Sequence, residues 1–330
     1  MRKLLMCGVV AGLAAVFATP MALAAEVQLK GISAWPKSFP LTGDYLRFVE
    51  YANKAGKGMF KIRHLGGPEI AKAPAQAKGF KTGLYDFMYT AASYHRGVVP
   101  EVDALSATQI KPWDARKSGA MGTLNKAVTK RIGGVILAQT ATSVPFTLYL
   151  SRKPKQDSSG MISLSGFKMR SVPVYNAFLK ELGATTVTVH VPEIYNALER
   201  GLVDGFAFPA MFTRKFGWAK FVKYRIYPTF YQLEPCIFVS NKALKKVGSK
   251  GRELLLKLGR EWEHISHDHW KPLVDKEREI LAVKFGQKEI TLSGVAAKKY
   301  ISLANTTPVM RLKKVDSPEA KILSKLYHGQ

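Results

Sequence analysis

The stretch that runs from Gly166-Phe-Lys-Met-Arg-Ser-Val-Pro173 to Val203-Asp-Gly-Phe-Ala-Phe-Pro209 alternates strand and helix signals. Residues 167–172 have strand character. Val174, Phe178 and Leu182 recur at helical spacing, and Gly183 stops that helix. Thr185-Thr-Val-Thr-Val-His190 is β-branched and alternating, which predicts a second strand. Pro192 opens another helix with Ile194, Ala197 and Leu198 on its inner face, and Gly201 closes it. Residues 203–208 form a third, short apolar strand of the kind found in a sheet covered on both faces. Strands alternating with helices predict an α/β fold with a parallel sheet, and such sheets bind ligands at the carboxyl ends of their strands. Arg170 falls at the end of the first strand and Phe208 at the end of the third.

A second unit of the same kind lies upstream. Lys81-Thr-Gly83-Leu-Tyr-Asp86 and Arg200-Gly201-Leu-Val-Asp204 both read as helix, glycine, two residues, aspartate, apolar strand. One such unit in each half predicts two lobes with a cleft between the carboxyl ends of their sheets. Tyr89, Ser93 and Tyr94 then stand on one wall, and Arg170, Phe208 and Phe212 on the other; Trp35 follows the first strand, and Val191 completes the candidate set. Asp86 and Asp204 read as turn or packing residues, since aspartate beside glycine is common turn chemistry. Elsewhere, residues 115–132 read as one helix and 152–165 as a basic, then Ser/Gly-rich surface loop. Residues 231–239 read as one strand returning to the first lobe. From Gly251 a long helix follows, which Pro272 is expected to kink or divide, and residues 295–326 make one or two further helices.

The chain opens Met1-Arg-Lys3, then an apolar run to Phe17 and Ala22-Leu-Ala24, the pattern of a cleavable secretory leader over residues 1–24. The run is short for a spanning helix, which takes about 20 apolar residues. Periplasmic export follows as the expected location. Loss of Arg2 and Lys3 takes the formal charge from +26 to +24, and loss of Cys7 leaves Cys236 alone, without an internal disulfide partner. The lysines and arginines are spread along the chain, which describes a basic solvated exterior with some help to anion capture. A leader also argues against nucleic acid as the partner.

No Gly-x-Ser-x-Gly, Cys-x-x-Cys, His-Glu-x-x-His or Walker loop is present, so neither an enzyme nor a cofactor or metal site is predicted. His264 and His267 share a helix face, so a metal site is conceivable, but a solvated or packed face explains them better, and Cys236 reads as a small buried hydrophobe. Arg170 has the chemistry that fits a cleft: a planar fork matched to a carboxylate. Its bond is worth about 1.5–3 kcal/mol, whereas micromolar binding takes about 8 kcal/mol. Aromatic burial by Trp35, Tyr89, Tyr94, Phe208 and Phe212 can supply the remainder.

Gly66-Gly-Pro-Glu69, Lys81-Thr-Gly-Leu-Tyr-Asp86, Gly166-Phe-Lys-Met-Arg-Ser-Val-Pro173, Leu182-Gly-Ala184 and Pro192-Glu-Ile-Tyr-Asn-Ala-Leu-Glu-Arg-Gly-Leu-Val-Asp-Gly205 occur in this order. Together they resemble the periplasmic substrate-binding proteins of tripartite ATP-independent periplasmic (TRAP) transporters, over most of the mature chain. The resemblance implies a two-lobed periplasmic-binding-protein-like fold, with crossing strands and a long bent helix spanning both lobes. The expected division is 25–147 with 235–255 as lobe I, 148–234 as lobe II, and 256–330 as helices packing across both. The resemblance also implies a receptor that closes on an organic acid anion and delivers it to sodium-coupled integral membrane subunits; a monomer is the expected state. The family's carboxylate-binding arginine falls on Arg170. Asp204-Gly-Phe-Ala-Phe208-Pro209 departs from the Asp-Gly-x-x-Asn-Pro of many sugar-acid and dicarboxylate binders, and Thr140-Ala-Thr-Ser-Val-Pro145 lacks a second arginine that some members place there. Both departures point to a monocarboxylate with an apolar or aromatic tail, such as a 2-oxo or aryl acid. The alternatives are a dicarboxylate or sugar-acid receptor of the same fold, and a basic envelope protein that binds polyanions.

Overall fold

The structure is a computed structural model that describes residues 26–329 apart from residue 173. The predicted leader, residues 1–24, lies outside the described residues. The strands in chain order are β1 (Val27–Ser33), β2 (Phe60–Gly66), β3 (Phe87–Ala91), β4 (Gly134–Gln139), β5 (Pro145–Leu150), β6 (Lys155–Gln156), β7 (Ile162–Ser163), β8 (Lys168–Ser171), β9 (Thr185–Thr188), β10 (Gly205–Pro209), β11 (Tyr224–Gln232), β12 (Pro235–Ser240) and β13 (Lys288–Thr291). One sheet runs β2-β1-β3-β12-β4 and the other β13-β11-β5-β10-β8-β9, while β6 and β7 pair by themselves. In each large sheet three parallel strands, β2-β1-β3 or β9-β8-β10, are extended by an antiparallel strand. That strand is β12 in the first sheet and β5 in the second. The chain reaches β5 from the first lobe and β12 from the second, so each lobe is closed by a strand the other delivers.

The two α/β units share their bonding in detail. Gly83 and Gly201 both adopt the left-handed conformation that ends a helix, with φ of 91° and 65°. Asp86 N donates to Lys30 O and Asp204 N to Lys168 O, each at 2.7 Å. The carboxylates accept from the same two residues, Lys30 N at 2.9 Å and Lys168 N at 2.8 Å. Their carbonyls receive Ser240 N and Ser151 N from the incoming strands, each at 2.9 Å. Asp86 and Asp204 are thus strand-pairing residues at the sheet edge away from the cleft.

Three local expectations change. Gly119, at φ 81°, divides residues 115–132 into helices Pro112–Lys117 and Ala120–Ile132. Residues 231–239 are not one strand. Tyr231 takes a left-handed φ of 50°, and the chain leaves β11 in one sheet to enter β12 in the other. The loop 152–165 carries the β6–β7 ladder.

The long helix Gly248–Phe285 runs through Pro272 without being divided. It is held along its length by both lobes, so the one backbone bond that proline removes is offset by tertiary contacts. Toward the first lobe, Tyr51 donates to Glu261 at 2.7 Å and Arg116 holds Glu263 at 2.7 Å. Toward the second, Arg214 holds Glu277 at 2.6 Å and Arg225 donates to Arg278 O at 3.1 Å. The end of the chain forms two helices, Gly294–Lys313 and Pro318–His328. In the first of these Pro308 cannot donate to the carbonyl of Ala304; the Tyr231 hydroxyl takes that carbonyl at 2.7 Å and ties the helix to β11.

Candidate functional site

Arg170 lies on β8, opposite Phe206 of β10 in the parallel register. Register partners share a face, so Arg170, Phe206 and, two residues on, Phe208 rise from one side of the sheet. Arg170 is 3% exposed. Its Nε donates to Val189 O at 2.9 Å, and its Nη1 donates to the Tyr175 hydroxyl, which itself donates to Ala207 O at 2.9 Å. These bonds aim the guanidinium but leave its charge uncompensated. Among the described residues only two cationic side chains are this deeply buried, Arg170 and Arg225. Arg225 has Glu289 at 3.0 Å, and no carboxylate among the described residues pairs with Arg170. A buried unpaired cation is costly, which makes Arg170 the candidate anchor for an anion.

The opposite wall is aromatic. Trp35 stacks on Phe39 at 5.9 Å and meets the edges of Tyr89 and Tyr94 at 5.5 and 6.0 Å. Phe39 in turn reaches Phe212 at 5.8 Å and Phe216 at 5.9 Å. Lys215 donates to Ser38 O at 3.0 Å alongside. The second lobe continues the line, with Trp218 at 4.8 Å from both Phe216 and Phe208. Aromatic contacts therefore run unbroken from Trp35 to Phe208 across the junction of the two lobes.

The sequence-predicted residues take different places in this arrangement. Trp35 and Tyr94 flank the junction, while Phe208 is buried against Phe206, Phe216 and Trp218 within the second lobe. Phe212, in a left-handed conformation at φ 78°, is wedged between Phe39 and Trp270 of the long helix. Tyr89 is fully buried behind Trp35, stacked on Tyr45 at 5.0 Å and bonded through its hydroxyl to Thr140 at 3.0 Å; it supports the wall from behind. Ser93 contributes its backbone N–H, which donates to Glu234 at 3.1 Å. Val191 opens the short helical turn Val191–Glu193, two residues beyond the carbonyl that orients Arg170. His264 and His267 pack on Trp113, His264 face to face at 4.2 Å.

Four residues were missed. Phe39 and Phe216 carry the contact between the lobes, and Tyr175 aims the arginine. Glu234 sits in the crossing between β11 and β12 and is 8% exposed. Its Oε1 accepts from Ser93, its Oε2 is enclosed without a partner among the described residues, and burial pushes its carboxyl up to about 7. A glutamate inside the otherwise uncharged run Tyr231-Gln-Leu-Glu-Pro-Cys-Ile237 was the available signal. Desolvation raises the Tyr94 hydroxyl; the Arg170 charge pulls it back down and the Glu234 charge pushes it further up, so both charged groups lie within electrostatic reach of Tyr94.

Two α/β lobes joined by crossing strands, spanned by a long helix and meeting near a buried arginine, have the architecture of a two-lobed solute-binding protein. The chain belongs to the bacterial extracellular solute-binding protein family 7 (DctP), whose model matches residues 32–299. A curated relative from Albidiferax ferrireducens, described as a solute-binding protein, is 23% identical over 275 residues, 79% of this chain and 78% of the relative. A TRAP solute-binding protein from Rhodoferax ferrireducens with bound malonate superposes with a TM-score of 0.73 at 20% identity, over 91% of this chain and 97% of that one. A marine metagenome TRAP solute-binding protein specific for aromatic acid ligands, bound to meta-hydroxyphenylacetate, gives 0.70 at 18% identity, over 92% of this chain and 98% of that one.

Proposed function

We propose that this receptor captures an organic monocarboxylate with an apolar or aromatic tail, such as an aryl or 2-oxo acid, and hands it to sodium-coupled membrane subunits after export to the periplasm. The observation that carries this reading is the single uncompensated buried guanidinium. One carboxylate satisfies Arg170. A second would need another buried cation, and Arg225 is already taken by Glu289. Beyond the arginine, the path toward the first lobe is lined by rings. Burying an aromatic tail of about 150 Å² there contributes roughly 4 kcal/mol, which with the ion pair approaches micromolar affinity. The aromatic-acid receptor among the structural neighbours supports this reading, and the malonate-bound one marks its competitor. Closure of the lobes excludes water and strengthens the ion pair. Nothing in the site pairs a nucleophile with a base, so binding without catalysis is the proposed activity. The division into lobe I (25–147 and 235–255), lobe II (148–234) and the spanning helices remains our proposed boundary set.

The test is isothermal calorimetry of the mature protein against phenylacetate, 3-hydroxybenzoate, pyruvate, malonate and succinate, with Arg170→Ala beside it. We expect the aryl monoacids to bind best and the variant to lose them. Tighter binding of malonate or succinate would overturn the monocarboxylate assignment. An Arg170→Ala protein that binds like wild type would overturn the anchor.

A further inference from the structure

The charge of this chain is not accounted for by its cleft, which uses one cation. Part of the excess is gathered at the end of the first lobe away from the cleft, where three helices meet. Helix Ala73–Thr82, helix Ala120–Ile132 and helix Asn241–Lys246 contain no aspartate or glutamate between them. Their ends converge. Asn241 N donates to Gly133 O at 2.9 Å, Phe80 packs against Gly134, and Lys242 reaches over Gly83. Six lysines on these helices, Lys78, Lys81, Lys126, Lys130, Lys242 and Lys245, are exposed, and none has an ion-pair or hydrogen-bond partner among the described residues. Two carboxylates that contact these helices are buried and already paired, Asp86 with Lys246 at 3.0 Å and Glu101 with Arg131 at 2.9 Å. Helix carboxyl ends favour nearby cations, which explains Lys81 and Lys130. It does not explain Lys78 or Lys126, which precede the last turn, or Lys242, at the start of its helix.

We propose that this acid-free helix junction docks the receptor on anionic phospholipid. The chemistry favours a lipid surface over a folded acidic partner or a nucleic acid. All six free cations are lysines, compact charges on flexible stems, which suit a fluid array of phosphates; planar arginine forks suit carboxylates at fixed positions. Leu84, beside Lys81 and Gly83, is 60% exposed and supplies an apolar contact for the headgroup boundary. No aromatic side chain stands exposed among them for base stacking. Docking by this end leaves the opposite, ligand-binding edge of the sheet free, so membrane attachment and acid capture are separable.

The experiment is co-sedimentation of the mature protein with vesicles of pure phosphatidylcholine, or of phosphatidylcholine carrying about 30% phosphatidylglycerol, at about 50 and about 300 mM salt. Lys81→Glu/Lys130→Glu/Lys242→Glu/Lys245→Glu is compared with a control of equal net charge, Lys284→Glu/Lys298→Glu/Lys321→Glu/Lys325→Glu. We expect binding to the anionic vesicles only, weakened about tenfold or more by the first set and by salt, and little by the control. Acid affinity, measured by calorimetry on the same proteins, should stay at the wild-type value, which also shows that they are folded. Equal losses in the two sets would overturn the proposal by assigning the attraction to net charge. No vesicle binding, or binding confined to double-stranded DNA or to an acidic protein surface, would overturn it as well. Each of these results is independent of which acid the cleft takes.

Discussion

The two α/β units use the same glycine-to-aspartate turn and the same bonds to neighbouring strands, and differ where they meet the cleft. Counting from the aspartates, Lys30 matches Lys168 and Ile32 matches Arg170. Their partners, Met88 and Phe206, occupy the same step of the parallel ladder. In the first lobe the position is apolar and fully buried with Phe80, Met88 and Phe238. In the second it holds a guanidinium that finds a hydroxyl and a carbonyl but no carboxylate. One frame thus supports a core in one lobe and the proposed binding site in the other, and the difference lies in what surrounds the position.

The harshest way to test that statement is to put the second lobe's residue into the first. Ile32→Arg has neither Tyr175 nor the Val189 carbonyl to receive it and buries an unpaired charge. We expect a loss of about 4 kcal/mol or more, read from urea unfolding. A variant as stable as wild type would mean that the two positions are interchangeable and the comparison is empty.

The crossings between the lobes differ in the same way. Residues 140–144 carry no charge and are pinned to the long helix by Ala141 N to Ser266 Oγ at 2.9 Å and Ser143 Oγ to His267 O at 2.7 Å. The other crossing buries Glu234, whose carboxyl is raised from 4.5 to about 7 chiefly by burial and further by Asp103, while its bonds with Ser93 and the charge of Arg96 act the other way. Between those values the folded protein keeps a proton that the unfolded chain has released, so stability falls as pH rises through that window. The change amounts to about 3 kcal/mol between pH 4.5 and 7. Glu234→Gln should flatten this part of the stability–pH curve measured by denaturation; an unchanged slope would place its origin elsewhere.

Replacing Arg170 by Met sharpens the comparison from the other side, since it gives the second lobe an apolar residue at the matched position. Removing the fork should weaken binding of the preferred acid by about 2–3 kcal/mol, roughly 30- to 150-fold. The ligand-free melting temperature should hold or rise, because a buried charge without a counter-ion contributes little to stability. A clear drop in that temperature would make Arg170 a structural residue.

What could be read from the sequence follows the same division. The paired units were legible because helix period, left-handed glycine and short apolar strands are local signals. Arg170 and Phe208 were legible as strand-end residues of such a unit. Tyr175, Phe39 and Phe216 were not, because their roles are set by contacts across the lobes or between strand ends. The change of sheet after β11 was hidden because apolar strand residues lie on both sides of Leu233 and Glu234. Its turn rests on Tyr231 in a conformation that favours glycine, which no sequence rule assigns to tyrosine.

The smallest expected effect is the most discriminating, because it compares two residues with equivalent partners. Asp86→Ala and Asp204→Ala each remove a carboxylate that accepts one backbone N–H and faces one cation. The surroundings differ. The Asp86 side chain is 3% exposed and its bond to Lys30 N is partly buried, whereas the Asp204 side chain is 26% exposed and its bond to Lys168 N lies at the surface. Water can take over for Asp204 and cannot readily reach the space left by Asp86. The cations do not reverse the order, since Lys246 and Arg152 are about equally exposed, at 51% and 49%, and exposed pairs contribute little. The expected losses are about 2 kcal/mol for Asp86→Ala and about 1 kcal/mol for Asp204→Ala, from urea midpoints at equal slope. Equal losses would mean that burial does not separate the two turns. A larger loss at Asp204 would mean that the second lobe depends on its surface ion pair with Arg152 more than its geometry indicates.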